Sequence, residues 1–221
     1  MVMLRKRFVI FSGGTLGAQA LREIRDGDVL VGADRGALDL IRHGYRPDMV
    51  LGDFDSVTDS EADLIRQMSR QFVPCDPVKK DSTDTEMAMA WALEQGAGEI
   101  ILCGVLGTRW DHSLANVHLL RIGLDHGVPC RIVDEYNELM LMDNRAVLTV
   151  ARSRFTHVSL LPLSQEVTGI TLGGFQYPLH EATLTIGQSL GISNVLIGEQ
   201  GTIVIREGLL LVIQSTDRAE P

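Results

Sequence analysis

Two carboxylates one residue apart follow directly on a short apolar run in Leu51-Gly52-Asp53-Phe54-Asp55-Ser56. If Met49 to Leu51 forms a strand, its period-two geometry turns Asp53 and Asp55 the same way, at the strand end where open α/β sheets keep their ligands. The chemistry such a pair can do is to hold a hard divalent cation. Magnesium prefers oxygen ligands, takes one or two carboxylates and completes its shell with water and substrate phosphates. An isolated D-x-D is more simply a polar turn; what favours a magnesium phosphate site is that further acids stand where strands give way to helices. Asp34 does so in Ala33-Asp34-Arg35-Gly36-Ala37, with an ordinary helix N-cap as its plainer explanation. In Lys79-Lys80-Asp81-Ser82-Thr83-Asp84-Thr85-Glu86, Thr83 and Glu86 have the spacing of a capping box. Lys80 is then left to meet a phosphate as a point charge, and Asp81 and Asp84 to close the cage begun by Asp53 and Asp55. A solvated surface cluster is the alternative.

One further stretch carries phosphate chemistry. In Gly104-Val105-Leu106-Gly107-Thr108-Arg109-Trp110-Asp111-His112-Ser113-Leu114-Ala115-Asn116, the glycines let backbone approach a ligand and Arg109 can fork onto phosphate oxygens. Asp111 or Ser113 can cap the helix that follows, and His112 and Asn116, four apart, share one of its faces. His112 reads as a structural hydrogen-bonder and Trp110 as packing. The loop Ser12-Gly13-Gly14-Thr15-Leu16-Gly17 could cradle a phosphate, but it matches neither G-x-G-x-x-G nor the P-loop, and a tight strand-to-helix turn explains its glycines equally well.

These residues must be positioned by the elements around them. The first half alternates short apolar runs with helical patterns, the mark of βαβ units: candidate strands are Phe8 to Phe11, Val29 to Ala33, Met49 to Leu51, Phe72 to Pro74, Ile100 to Cys103 and Arg131 to Val133. Thr58-x-x-Glu61 predicts a capping box opening a helix toward Met68. Around Asp134 to Asp143 the pattern changes to short β-rich runs. These are Val147 to Val150, Thr156 to Leu161, Val167 to Leu172, Ala182 to Ile186, Val195 to Ile197, Thr202 to Arg206 and Leu209 to Ile213, with Glu207-Gly208 as a hairpin turn. The reading is a Rossmann-like α/β domain with a mostly parallel sheet over residues 1–138, followed by a smaller all-β sandwich domain over 139–221.

Composition narrows the function. The 221 residues are 45% hydrophobic and 22% charged, an ordinary globular balance, and the formal net charge of −9 argues against a nucleic-acid partner, which needs a basic face. An anionic substrate must be received locally, by metal, backbone amides and a few cations. Cys75, Cys103 and Cys130 form neither a disulfide framework nor a zinc pattern, which points to reduced thiols in the cytoplasm. The apolar run after the basic Met1 to Arg7 is too short for a signal-peptide core, and no segment is long enough to span a membrane.

Ala33-Asp34-Arg35-Gly36-Ala37, Gly52-Asp53-Phe54-Asp55-Ser56, Lys80-Asp81-Ser82-Thr83-Asp84 and Gly107-Thr108-Arg109-Trp110-Asp111-His112-x-x-Ala115-Asn116, in that order and spacing, resemble the signature set of the thiamine pyrophosphokinases. Thr168-Gly169-Ile170, Gly174-Phe175-Gln176-Tyr177-Pro178-Leu179 and Ser189-Leu190-Gly191-Ile192-Ser193-Asn194 resemble the thiamine-binding part of that family's β domain. The resemblance covers nearly the whole chain. It implies magnesium-dependent transfer of the pyrophosphoryl group of ATP to the hydroxyl of thiamine, giving thiamine diphosphate and AMP, by a homodimer with its active sites at the subunit interface. Carried over by position, Asp53, Asp55, Asp81 and Asp84 would form the catalytic metal and phosphate cluster, and Asp34, Lys80, Arg109, Asp111 and His112 the ATP side. Ser193 and Asn194 would recognise the pyrimidine, with Tyr177 placed to stack on it. Residues 1–138 would then be the nucleotide-binding catalytic domain and 139–221 the thiamine-binding and dimerisation domain. Arg35 and Thr108 stand where glycine is common in the family, and Val195 where a polar residue often follows Ser-Asn.

Two other classes share features with this reading. An aspartate-dependent phosphatase of the haloacid-dehalogenase type would use Asp53-Phe54-Asp55-Ser56, although such enzymes carry that motif after their first strand and here it follows the third. A non-catalytic thiamine- or nucleotide-binding module would keep both domains without the reaction.

Overall fold

The computed structural model describes residues 6–75 and 81–217, and the chain divides between Glu135 and Tyr136 into two compact units. In the first unit six strands, β1 (Arg7–Phe11), β2 (Val29–Ala33), β3 (Met49–Gly52), β4 (Phe72–Pro74), β5 (Glu99–Cys103) and β6 (Cys130–Val133), form a parallel sheet in the order β4-β3-β2-β1-β5-β6. Its central strands are continuous hydrophobic runs, Phe8 to Phe11 and Ile100 to Cys103 being almost wholly buried, as strands covered on both faces must be. The connecting helices are α1 (Ala18–Arg22), α2 (Arg35–Arg42), α3 (Asp59–Met68), α4 (Asp84–Glu94) and α5 (Trp110–Asp125). The capping box predicted at Thr58 and Glu61 opens α3 with both of its reciprocal bonds in place. Strand order runs one way from β1 to β4 and the other way to β5 and β6, so a crevice opens between the carboxyl ends of β1 and β5, the switch point where such sheets bind ligands.

The second unit is a sandwich of two antiparallel sheets. One joins β7 (Asn137–Met142), β13 (Leu210–Ser215) and β9 (His157–Pro162); the other runs β11 (Ala182–Thr185), β10 (Glu166–Gly173), β12 (Gln200–Val204), β8 (Leu148–Ala151). Alternate residues of each meet in one buried cluster, with Val158, Leu160 and Val212 from the first sheet and Val167, Leu172 and Ile203 from the second.

Three local expectations change. β7 lies within the stretch read as a boundary. Val195 to Ile197 is not a strand, since Leu196 makes only an isolated bridge to Phe175, and the Val195 N–H is taken by the Asn194 side chain at 2.9 Å instead of a ladder partner. Glu207-Gly208 does not close a hairpin: β12 and β13 belong to different sheets, and Gly208, at φ 103°, carries the chain from one to the other. No helix among the described residues is long and apolar enough to cross a membrane.

Candidate active site

At the carboxyl ends of the parallel strands lies a cleft of about 750 Å³, walled by the loops after β1, β2, β3 and β5, the approach to α4 and the first turns of α5. Asp34, Asp53 and Asp55 each offer it a carboxylate oxygen, all within 4.8 Å of one another. The convergence does not come from strand periodicity. β3 ends at Gly52, and Phe54 is left-handed at φ 58°, its ring stacked on Phe72 with centroids 4.7 Å apart. With that ring anchored, the carboxylates of Asp53 and Asp55 converge on Asp34, and the Asp55 N–H donates to Asp53 Oδ1 at 3.3 Å.

Asp34 occupies the N-cap position of α2 yet makes no side-chain cap bond, so capping does not explain it. Its backbone sits at φ 49°, ψ −125°, a region costing a non-glycine residue about 1–3 kcal/mol, and its N–H donates to Leu51 O at 2.9 Å. Gly52 beside it, at φ 151°, suits glycine, and a Cβ there would stand a tight 3.1 Å from the Asp34 backbone. The Ser56 hydroxyl donates to Asp34 Oδ2, while Oδ1 is buried with no hydrogen-bond partner among the described residues. A buried carboxylate oxygen left without a donor is what a cation site provides.

Asp81, Asp84, Arg109 and His112 line the same cleft. Asp81 and Asp84 stand outside the tight trio, so the acid that joins Asp53 and Asp55 is Asp34, which the sequence placed on the nucleotide side. Asp111 is not among the lining residues and does not cap α5; it forks onto the Arg109 guanidinium at 2.6 and 3.2 Å. That hydrogen bond first, and the His112 backbone N–H after it, bring the Asp111 carboxyl down to about 2. Lys80 falls outside the described residues. Trp110, expected to pack, is 74% exposed. Five aspartates and one guanidinium thus stand on the described lining.

The glycine-rich loop after β1 is a zipper, not an open amide cradle. The N–H groups of Ser12, Gly14 and Thr15 donate to the carbonyls of Cys103, Gly104 and Leu106 at 2.9, 2.7 and 3.0 Å. A Cβ on Gly14 would lie 2.4 Å from Gly104 O, so glycine is there for close approach of the two loops. Ser12 also shares a buried 2.8 Å hydroxyl bond with Thr85, tying this loop to α4. The sequence offered Ser113 only as a cap of α5 and Asn116 only as sharing a helix face with His112; the N-cap is Arg109, without a side-chain cap bond, and both residues are instead buried against the β5–α5 loop and line the cleft. The signal was present in two polar residues three apart on a helix face that continues with the apolar Leu119 and Leu120.

In the second unit, Tyr177 is 60% exposed and Ser193 is left-handed at φ 61°. The Asn194 carboxamide is largely committed to backbone. It accepts from the N–H groups of Tyr177 and Val195 at 3.0 and 2.9 Å and donates to Tyr177 O at 2.7 Å, so it braces the segment that presents Tyr177.

Known proteins bear on this arrangement. A family model described as the catalytic domain of thiamin pyrophosphokinase matches residues 21–132, and one described as its vitamin B1 binding domain matches residues 145–210. The chain is 34% identical over 187 residues to a thiamine pyrophosphokinase of Bacillus subtilis (strain 168), covering 85% of this chain and 87% of that one. The crystal structure of thiamine pyrophosphokinase from Bacillus subtilis superposes with a TM-score of 0.89 at 31% identity, over 96% of this chain and 100% of the other. That of thiamin pyrophosphokinase from Geobacillus thermodenitrificans gives 0.86 at 36% identity, over 96% and 98%. The acid trio at the carboxyl ends of β2 and β3, the sandwich that follows the parallel sheet and these matches over most of the length lead to one conclusion: the chain belongs to the thiamine pyrophosphokinase family, enzymes that make thiamine diphosphate.

Proposed function

We propose that this chain transfers the pyrophosphoryl group of ATP to the hydroxyl of thiamine, yielding thiamine diphosphate and AMP, with magnesium as its cofactor. The observation that carries the reading is the meeting of Asp34, Asp53 and Asp55 in a cleft at the carboxyl ends of the parallel strands, with Asp34 Oδ1 buried and without a donor among the described residues. An all-oxygen donor set fits magnesium, which Asp53, Asp55 and Asp34 would hold, with Asp81 and Asp84 completing the cluster through water or phosphate. When bound, the ion neutralises charge on the phosphate oxygens.

The chain's own residues do the positioning. Arg109, its Nε and Nη2 held by Asp111, has its remaining N–H groups for the phosphates, and His112 lines the cleft beside it. The thiamine oxygen attacks the β-phosphorus as the bond from that phosphorus to the α-phosphate oxygen breaks, and AMP leaves. Asp81 and Asp84 are the carboxylates available to take the hydroxyl proton. Tyr177 would stack on the pyrimidine and Ser193 and Asn194 would recognise it, the Asn194 carboxamide also bracing the Tyr177 backbone.

The same reading makes the enzyme a cytoplasmic homodimer with its active sites at the subunit interface. Supporting the dimer, the second unit exposes Tyr177, Leu190 and Ile197 at 60%, 64% and 71%, apolar surface suited to cover by a partner. Supporting the cytoplasm, all three cysteines are free, and burial pushes the Cys130 thiol up to about 12. Incubation with ATP, magnesium and thiamine tests the reaction. AMP and thiamine diphosphate should form in equal amounts; release of inorganic phosphate from simple monoesters, or thiamine binding with no AMP, would refute it.

A further inference from the structure

Ser113 and Asn116 lie three residues apart on the face of α5 turned toward the β5–α5 loop, and both are at least nine-tenths buried, at 5% and 7% exposure. Asn116 Nδ2 donates to Val105 O at 2.7 Å. Ser113 Oγ accepts from Gly107 N–H at 3.1 Å and donates to Arg109 O at 3.0 Å. Two side chains thus hold the start, middle and end of the loop that carries Arg109. That loop in turn supplies the carbonyls of Gly104 and Leu106 to the amides of Gly14 and Thr15, so the loop after β1 hangs on it as well.

We propose that Ser113 and Asn116 are positioning residues: they latch the β5–α5 loop, and through it the loop after β1, in the geometry that receives the triphosphate of ATP. The inference rests on the reaction proposed above. Neither residue needs to touch substrate. Their hydrogen bonds satisfy carbonyls and an amide that would otherwise let the glycine-containing loop rearrange, and Arg109 would move with it. The direction of the Asn116 bond gives the idea its test. Val105 presents a carbonyl, so only a donor works there, and Asp, which matches Asn in shape, would place an acceptor against an acceptor. Were Asn116 instead a ligand contact through Oδ1, Asp would preserve it.

The experiment compares wild type with Asn116→Asp, Ser113→Ala and Ser113→Thr, each checked by thermal melt. It measures steady-state parameters for ATP and for thiamine, and titrates ATP with magnesium calorimetrically. Asn116→Asp and Ser113→Ala should each lower kcat/KM for ATP by about tenfold or more and weaken ATP binding to match, while KM for thiamine stays put and Ser113→Thr recovers most of the loss. Near-normal ATP parameters in Asn116→Asp would overturn the latch, as would a loss shared equally between ATP and thiamine, which is what general destabilisation gives. If Asn116→Asp does not fold, the alanine and threonine variants at Ser113 decide on the same criteria. If wild type binds ATP yet forms no product, the reaction assignment fails, and the calorimetric comparison still decides the latch.

Discussion

At the scale of single residues, Asp55 and Asp34 separate catalysis from stability. Asp55 is exposed and belongs to no core, so Asp55→Asn should leave the melting temperature near wild type while turnover drops by orders of magnitude; near-normal turnover would refute its role at the metal. Asp34 is the sharper case, because its backbone holds a conformation that only glycine adopts freely. Asp34→Gly relieves about 1–3 kcal/mol of strain against the lost Ser56 hydrogen bond and glycine's greater unfolded-state freedom, so the variant should melt at or above wild type and be inactive. A marked fall in melting temperature would show that Asp34 is held there for the fold. Asp111 makes a prediction of a different kind. Its carboxyl is held down to about 2 from an ordinary 3.8, so its pairing with Arg109 is complete above 3.8 and fades only as pH falls from there toward about 2. The pair is solvent-exposed and screened, so the effect belongs in a carboxyl NMR titration, not a stability curve. Arg109→Ala should bring the Asp111 midpoint back toward its ordinary value, and an unmoved midpoint would put the cause elsewhere.

At the scale of elements, the acids at strand ends were legible because an apolar run of four or five residues followed by a carboxylate is a local pattern. The capping box of α3 was legible for the same reason. The manner in which the acids converge was not. The left-handed turn at Phe54 is imposed by stacking on Phe72, and no period-two argument contains a ring eighteen residues away. The sandwich was legible as a class, but β7 hides behind the polar Asn137-Glu138, and Val195 looks like a strand residue until the Asn194 side chain takes its N–H. The glycine-rich loop allowed two explanations, and the geometry selects packing between loops. Gly14→Ala puts a methyl 2.4 Å from one carbonyl oxygen and 2.7 Å from another, neither at the end of a flexible chain. It should cost about 1–3 kcal/mol and also weaken ATP use, because the two loops it pushes apart both line the cleft. An Ala variant that melts normally and keeps its ATP parameters would show that the zipper yields without consequence.

At the scale of the whole molecule, the acidic cleft belongs entirely to the first compact unit and Tyr177, Ser193 and Asn194 to the second. If active sites form at a subunit interface, the cleft of one protomer is completed by the thiamine-recognising residues of its partner, and lesions in the two units must complement. Asp55→Asn removes a metal ligand and Tyr177→Ala removes the stacking ring, so each variant alone should be nearly inactive. Co-expressed with different tags, they assort into homodimers and heterodimers, and in each heterodimer one site carries both lesions while the other carries neither. Random assortment makes half of the dimers heterodimers, so activity should return to about a quarter of wild type, and purification through both tags should raise it to about half. Recovery on that scale cannot arise from sites built within one chain, where every site would keep one lesion. A doubly tagged heterodimer as inactive as its parents would place cleft and thiamine residues in the same protomer, and the exposed apolar surface of the sandwich would then need another explanation.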